Sequence, residues 1–340
     1  MKPESQERYS RQVLFKGIGS YGQERLLESR VVIVGCGATG SAVASILARA
    51  GVGYLRIIDR DFVESSNLQR QTLFDENDAR ESLPKAIAAV AKIASFNSDV
   101  KAEASVSDLR PENVTTLLAD AQLVMDGTDN FETRYLINDY CVQNFVPWIY
   151  TAAVGSYGAT MNVIPGDTAC LSCIFPQSPT GLVGTCETSG ILNSAVNFAS
   201  SLAATEALKL LIGSASKPRR TLLSYDVWSN QHAEVKADRP RPDCGTCVEH
   251  EFVHLKGEGR PHITLCGRNS VQIHEHARPM DLSEVSQRLE SHGPVRHNNF
   301  VLKFQKHPYE ITLFPDGRAI IKGTTDTAVA RSLYARYIGS

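Results

Sequence analysis

V-V-I-V-G-C-G-A-T-G-S-A-V-A-S-I-L-A-R-A-G-V-G-Y-L-R-I-I-D-R-D-F-V-E-S-S-N-L-Q-R, Val31 to Arg70, is the stretch that decides the fold. Val31 to Val34 is a short apolar run suited to a buried parallel strand. Gly35, Gly37 and Gly40 follow in G-x-G-x-x-G spacing. Small residues dominate Ser41 to Ala50, which predicts a helix able to pack close to a sheet. Gly51 and Gly53 stop that helix, and Tyr54 to Ile58 reads as a second strand ending on Asp59. Strand, glycine turn, helix, strand and acid together form the nucleotide-binding half of a doubly wound α/β sheet. Glycines alone would serve equally well for a tight turn. The flanking strands and the acid favour a nucleotide.

The residues beyond Asp59 are too polar for a core element: Arg60-Asp61-Phe62-Val63-Glu64, then Ser65-Ser66-Asn67-Leu68-Gln69-Arg70-Gln71. Asn67, Gln69 and Arg70 are placed to reach a phosphate or ribose, and an arginine fork suits phosphate; a solvated loop is the alternative. Pro84-Lys85 opens a helix through Phe96, with proline at the first helical position. A lysine at a helix N-terminus is misplaced for the helix dipole but well placed for a phosphate. Gln122 to Met125 is a further strand, ending Asp126-Gly127-Thr128-Asp129-Asn130 before a helix from Phe131 to Asn144. Ligands of open α/β sheets sit beyond such strand ends. Asp129 there suits Mg²⁺ beside a triphosphate, while Asp129 or Asn130 would also serve as the helix N-cap.

The remaining elements bracket this centre. Expected strands are Val100 to Ala104, Pro147 to Thr151 and Thr160 to Ile164, and a helix is expected from Pro111 to Leu118. Thr188 to Ile212 reads as a long buried helix, and Thr221 to Val227 with His232 to Val235 as a closing hairpin. Arg239-Pro240-Arg241-Pro242 reads as an extended linker. The expected division is 1–250 as the nucleotide domain and 251–340 as a small α+β unit of unknown role. Its strands are expected near His262 to Leu265, Phe300 to Phe304, Ile311 to Phe314 and Ala319 to Lys322, with a closing helix Thr327 to Tyr337. The 340 residues carry a net charge of −2, so no global field draws the chain to nucleic acid or a membrane surface. The N-terminus has no apolar signal region, and no transmembrane span is expected.

Eight cysteines include two C-x-x-C pairs, Cys170/Cys173 and Cys244/Cys247. Without a secretory signal this favours metal over disulfides and places the chain in a reducing cytoplasm. Two such knuckles can close a tetrahedral, structural Zn²⁺ site; redox dithiols are the alternative. Cys36, Cys141 and Cys266 read as packing residues. Cys186 lies just before the long helix, where a thiol can be activated, although spacing alone does not make it catalytic. Arg8 and Arg11, in R-Y-S-R-Q, read on spacing alone as a solvated arm.

Taken in order, R-Y-S-R-Q, G-C-G-A-T-G, I-D-R-D, S-N-L-Q-R-Q, P-K, D-G-T-D-N and the two C-x-x-C pairs resemble the ThiF/MoeB/HesA family, bacterial relatives of ubiquitin-activating enzymes. The resemblance covers roughly residues 5–250. It implies a Rossmann-like sheet and ATP-dependent adenylation of the C-terminal glycine carboxylate of a small ubiquitin-like sulfur carrier (ThiS- or MoaD-like) ending Gly-Gly, with pyrophosphate released. It implies that Gly35, Gly37, Ala38 and Gly40 line the nucleotide and that Asp59 holds the ribose. Asn67, Arg70 and Lys85 would contact phosphates, with Asp61, Ser66, Leu68, Gln69, Thr128 and Asn130 in the same shell. Asp129 would ligate Mg²⁺, and Arg11 would reach into the site of a partner subunit, making a homodimer. Cys186 matches a cysteine that some members use in sulfur transfer, so a sulfurtransferase is a further expected partner. No rhodanese-type loop is present in the tail. Three other readings stay open on residues alone: a nicotinamide-dependent oxidoreductase, a non-catalytic module that binds a ubiquitin-like protein, and a tRNA-modifying dehydratase.

Overall fold

The computed structural model describes residues 3–177, 190–213, 217–257, 264–265, 269–273 and 280–339. They form two compact units, Met1–Glu258 and Gly259–Ser340. The first unit begins with three helices, α1 (Pro3–Arg8), α2 (Ser10–Val13) and α3 (Gly19–Glu28). The nucleotide-type half follows: β1 (Arg30–Val34), α4 (Ala38–Arg49), β2 (Tyr54–Ile58), a short 3-10 turn Ser65–Asn67, α5 (Glu76–Arg80), α6 (Lys85–Phe96) and β3 (Lys101–Ser105). The second half is α7 (Val114–Leu117), β4 (Leu123–Asp126), α8 (Phe131–Gln143), β5 (Trp148–Val154), β6 (Tyr157–Val163), α9 (Leu171–Ile174), α10 (Asn193–Ile212), β7 (Thr221–Asp226) and β8 (Gln231–Lys236).

The eight strands make one sheet in the order β3-β2-β1-β4-β5-β6-β7-β8. β1 to β5 pair in parallel, and β6, β7 and β8 are added antiparallel. This is the Rossmann-like sheet expected from the sequence. Its central strand shows why a continuous apolar run is needed: Val31 and Ile33 enter the core under α4, α6 and α10, while Val32 and Val34 enter the core under α8. Both faces are covered, so the strand has no polar side. The chain leaves β1 one way to β2 and returns on its other side as β4. The crevice at this switch point lies between the ends of β1 and β4.

Several boundaries differ from expectation for local reasons. α4 starts at Ala38, not Ser41, because Gly37 is already its N-cap. Pro84 is the N-cap of α6 and Lys85 its first helical residue. The helix expected over 111–118 is reduced to Val114–Leu117. The β5–β6 hairpin is longer than expected: Gly158 pairs with Ala153 inside the ladder, and only Gly155, at φ +59°, sits in the turn. α10 is regular from Asn193; residues 178–189, including Cys186, lie outside the described residues. By length and composition α10 would pass as a membrane span, yet its alanines pack into the core under the sheet. The first unit also runs past the expected junction after residue 250. His254 donates its backbone N–H to Asp139 at 2.9 Å, and Phe252 and Leu255 pack on the first unit's core.

The second unit is a six-stranded antiparallel sheet, β11-β12-β13-β14-β10-β9, where β9 is Thr264–Leu265, β10 Ser270–Ile273, β11 Val295–His297, β12 Leu302–Lys306, β13 Tyr309–Leu313 and β14 Ala319–Lys322. α11 (Leu282–Leu289) and α12 (Thr327–Tyr337) supply Leu282, Val285, Leu289 and Tyr334 to a core shared with Phe304, Ile311 and Ile321. The sequence reading missed β10, β11 and α11. Cys266 lies outside the described residues.

Candidate functional site

The glycine turn closes by backbone contact. Gly35 adopts φ +83°, and its N–H continues the ladder to the Ile58 carbonyl at 2.8 Å. A Cβ at Gly40 would stand 1.9 Å from the Gly35 oxygen, and one at Gly127 would stand 2.3 Å from the same atom. Gly35, Gly40 and Gly127 are therefore required by close approach. Gly37 differs: nothing lies within 4 Å of where its Cβ would be. The open space is at the N-cap of α4, where backbone N–H groups are unsatisfied within the helix and suited to an anion.

Asp59 ends β2 and is almost fully buried. Its Oδ2 accepts from the Cys36 N–H and its Oδ1 from the Asp61 N–H, both at 2.6 Å. Burial pushes this carboxyl up; Lys85 opposes the shift. Each oxygen keeps a lone pair for one further donor. The chain beyond Asp59 is tied to the start of α6: Lys85 N–H donates to the Asp61 carbonyl at 2.8 Å and Val63 N–H to Leu83 at 2.9 Å. This brings the Lys85 ammonium, only 3% exposed, to 3.4 Å from Asp61 Oδ2. A buried lysine at a helix N-terminus needs an anion, and here one carboxylate supplies it.

The S-N-L-Q-R stretch is the 3-10 turn and its exit. Asn67 is buried, and its Oδ1 accepts from the Glu64 N–H at 3.2 Å. Leu68 packs against the core. Ser66 and Gln69 are exposed. Arg70 donates to the Ser66 carbonyl at 2.9 Å and pairs with no carboxylate among the described residues. Its charge is uncommitted.

Across the crevice, Gly127 N–H donates to Val34 at 2.7 Å. Asn130 is the N-cap of α8, its side chain accepting from the Thr133 N–H at 2.8 Å. That resolves the choice between Asp129 and Asn130. The Asp129 carboxylate is exposed and forms no ion pair among the described residues. Thr128 turns inward, its N–H and hydroxyl both donating to Asp126 Oδ1 at 2.8 and 2.6 Å. The sequence reading missed Asp126 and its partner Arg134, an ion pair of 2.9 Å buried on both sides. Burial alone would lower the Arg134 guanidinium; Asp126, together with Tyr150 and Asp129, more than offsets this and raises it.

Arg11 is not near this crevice. Its segment is held at the other end of α4, where Gln12 Nε2 donates to the Ala50 carbonyl at 2.8 Å and Tyr9 receives a hydrogen bond from Asn97. Twelve helical residues separate Ala38 from that end, about 18 Å at 1.5 Å per residue. Arg11 is exposed and pairs with no carboxylate among the described residues.

Cys170, Cys173, Cys244 and Cys247 converge, with all four sulfurs within 4.8 Å of one another. Three of the sulfur separations are 3.8, 3.6 and 3.3 Å. A regular tetrahedron with Zn–S of about 2.3 Å has S–S edges of about 3.8 Å, so the set fits zinc. The Arg239–Pro242 segment is less a free linker than expected, since Arg241 N–H meets Cys173 Sγ at 3.3 Å. α8 braces the cluster: Asn138 accepts from the Leu171 N–H at 2.9 Å, and Tyr135 stacks on His254 at 4.9 Å.

The ThiF family model matches residues 9–246. The sulfur carrier protein ThiS adenylyltransferase of Bacillus subtilis (strain 168) is 44% identical, over 98% of this chain and 99% of its own length. The SAMP-activating enzyme E1 of Haloferax volcanii is 38% identical over 72% of this chain and 89% of its own. The sulfur carrier protein adenylyltransferase of Thermus thermophilus is 36% identical over 72% and 91%. Among solved structures, E. coli MccB with ATP has a TM-score of 0.62 at 24% identity, covering 71% of this chain and 74% of that one. This last likeness speaks for the fold alone.

Proposed function

The chain belongs to the ThiF family, and from that premise we propose the residues and the carrier with which it works. It is an adenylyltransferase that activates the C-terminal carboxylate of a ubiquitin-like sulfur carrier with ATP. The carrier proposed is ThiS-like, because the B. subtilis relative named for ThiS matches both units of this chain; a MoaD-like carrier is the second choice. The observation that carries the site assignment is the juxtaposition of the open N-cap at Gly37 with Asp59, Lys85 and the exposed Asp129 at one switch point.

The chemistry asks little of a general base. The carrier carboxylate is already ionised at neutral pH. One of its oxygens bonds to the α-phosphorus as the bond to the bridging oxygen of pyrophosphate breaks. What remains is positioning and charge neutralisation. Gly37 and the Ala38 N–H at the open N-cap meet the nucleotide, on a turn that Gly35 and Gly40 allow to close. Asp59 accepts from the ribose hydroxyls with its remaining lone pairs. Arg70, uncommitted in the free chain, and Lys85, which exchanges Asp61 for phosphate, take the triphosphate. Ser66, Asn67, Gln69, Thr128 and Asn130 shape the same shell. Mg²⁺ held by Asp129 would offset phosphate charge, and exposed carboxylate oxygen is a suitable donor. Arg11 cannot serve its own site across the length of α4, so in this proposal it completes the site of a second copy in a homodimer. Zinc at the four thiolates is structural, since no coordination position is left open, and thiolates fit a reducing cytoplasm. A sulfurtransferase would consume the acyl adenylate. The nicotinamide and non-catalytic readings are not favoured, as neither uses Arg70, Lys85 or Asp129.

The test is ATP–pyrophosphate exchange with a small carrier ending Gly-Gly. Carrier-dependent exchange is expected. ATP binding without exchange for any such carrier would leave a binding module.

A further inference from the structure

We propose that Arg134 is a positioning residue for Asp129 and thereby sets the Mg²⁺ requirement of nucleotide binding. The proposal rests on the adenylation reading of the site.

Arg134 lies in the second turn of α8 and is buried. Its Nε donates to Asp126 Oδ2 at 2.9 Å, and its Nη2 donates to the Thr128 carbonyl at 2.6 Å and the Thr151 carbonyl at 3.2 Å. Asp126 in turn takes the Thr128 N–H and hydroxyl with its other oxygen. One guanidinium thus ties the end of β4, the middle of β5 and the link 126–128 into a single unit. The Phe131 and Tyr150 rings lie 5.2 and 5.0 Å from its centre, which fixes the plane of the fork. Asp129 follows directly. It stands between Thr128, held by this unit, and Asn130, held as the cap of α8. Asp129 makes no ion pair among the described residues, and the Asn130 amide donates to its carboxylate only at 3.4 Å; the Arg134 and Arg60 charges act on it from beyond ion-pair distance, and the backbone held by Arg134 places it. A buried ion pair is weak evidence for stability. Here its geometry is spent on one short loop, and the only exposed carboxylate in that loop is Asp129. An ammonium could keep the charge opposite Asp126, but it lacks the planar fork that reaches both carbonyls.

The test uses the full chain. ATP binding is measured by calorimetry across a MgCl₂ series, for wild type, Arg134→Lys, Asp129→Asn and the double variant, with a thermal melt of each. Partners that orient a metal ligand are worth about 10–100-fold in metal affinity. Arg134→Lys is therefore expected to raise the half-saturating Mg²⁺ concentration by about tenfold, with Mg²⁺-free ATP binding unchanged. In the Asp129→Asn background it should add no further shift, because it acts through that carboxylate. Arg134→Gln, which loses the charge opposite Asp126 and the fork to the two carbonyls, should move the Mg²⁺ requirement the same way, and it stands in if Arg134→Lys does not fold. A lowered melting temperature with a wild-type Mg²⁺ requirement overturns the proposal, as does an equal shift in the Asp129→Asn background. No carrier is needed in this assay. A failed adenylation reading would show separately, as a wild-type chain that binds Mg-ATP normally yet forms no carrier adenylate.

Discussion

Single residues carry the sharpest expectations. Gly40→Ala puts a Cβ into the Gly35 carbonyl at 1.9 Å with only backbone to yield. It should cost at least about 1–3 kcal/mol by overpacking and abolish ATP binding, checked by denaturant melts and calorimetry. Lys85→Ala or Arg70→Ala should lower exchange by about 10²–10³-fold, the scale for one charge-stabilising donor, with melting little changed for the half-exposed Arg70. Asp139 gives a pH signature. Burial pushes its carboxyl up to about 7, helped by the Cys244 sulfur, against hydrogen bonds from the His254 and Leu255 N–H groups and the Thr246 hydroxyl that lower it. The folded value lies above the unfolded one of about 3.9. Stability therefore falls as pH rises between the two, and the loss is complete above 7. Asp139→Asn removes that cost, about 1.4 kcal/mol for each pH unit separating the folded and unfolded values. Its melting temperature should exceed wild type by a few degrees at pH 8, with the difference fading towards pH 4. At this scale much of the site was legible. Lys85 stood out as a cation at the wrong end of a helix, and Asp59 as an acid ending a strand. Asp126 and Arg134 were not legible, because a buried pair formed between a strand end and a helix interior leaves no periodic mark in the sequence.

Among the elements, α8 does the most joining. Its N-terminus fixes the loop that carries Asp129, and its middle holds the first zinc knuckle through Asn138 and the segment after the second through Asp139. The four-cysteine set should bind one zinc per chain, measurable by elemental analysis. Cys244→Ser should lose it and melt lower by about 10 °C or more, a fraction of the roughly 10–16 kcal/mol seen for zinc in small peptides. Metal retained by that variant would remove zinc from the account. The knuckles were legible because C-x-x-C spacing is itself the ligand geometry. The boundaries were less so. Gly158 looked like a turn residue but lies inside the β5–β6 ladder, since only pairing with β5 and β7 decides where a glycine-containing strand begins. The short α7 was overestimated for a related reason: an N-terminal proline marks where a helix can start, and tertiary contacts decide whether it continues.

Across the whole molecule, the relation of Arg11 to the crevice is the decisive feature. Its segment is anchored at the far end of α4 from the glycine turn. If Arg11 completes a second copy's site, Arg11→Ala and Lys85→Ala should each be inactive alone. Mixed one to one, they should regain about a quarter of wild-type exchange, as half the dimers pair the two variants and each such dimer has one intact site. No recovery would leave Arg11 on a solvated arm. The doubly wound architecture was readable from Val31 to Asp59, because a strand apolar on both sides and a glycine turn admit few other folds. The antiparallel extension through β6, β7 and β8 was not, since β8 is exposed along its length and carries no burial pattern. The role of the second unit is likewise unmarked by any motif. The central claim is that the chain joins AMP to a carrier's C-terminal carboxylate, and intact-mass measurement of a ThiS-like carrier incubated with the chain, ATP and Mg²⁺ tests it most directly. The account predicts a carrier heavier by one AMP, absent when the final glycine is deleted or when Asp129→Asn replaces the wild type; an unmodified carrier in the presence of bound ATP would contradict it.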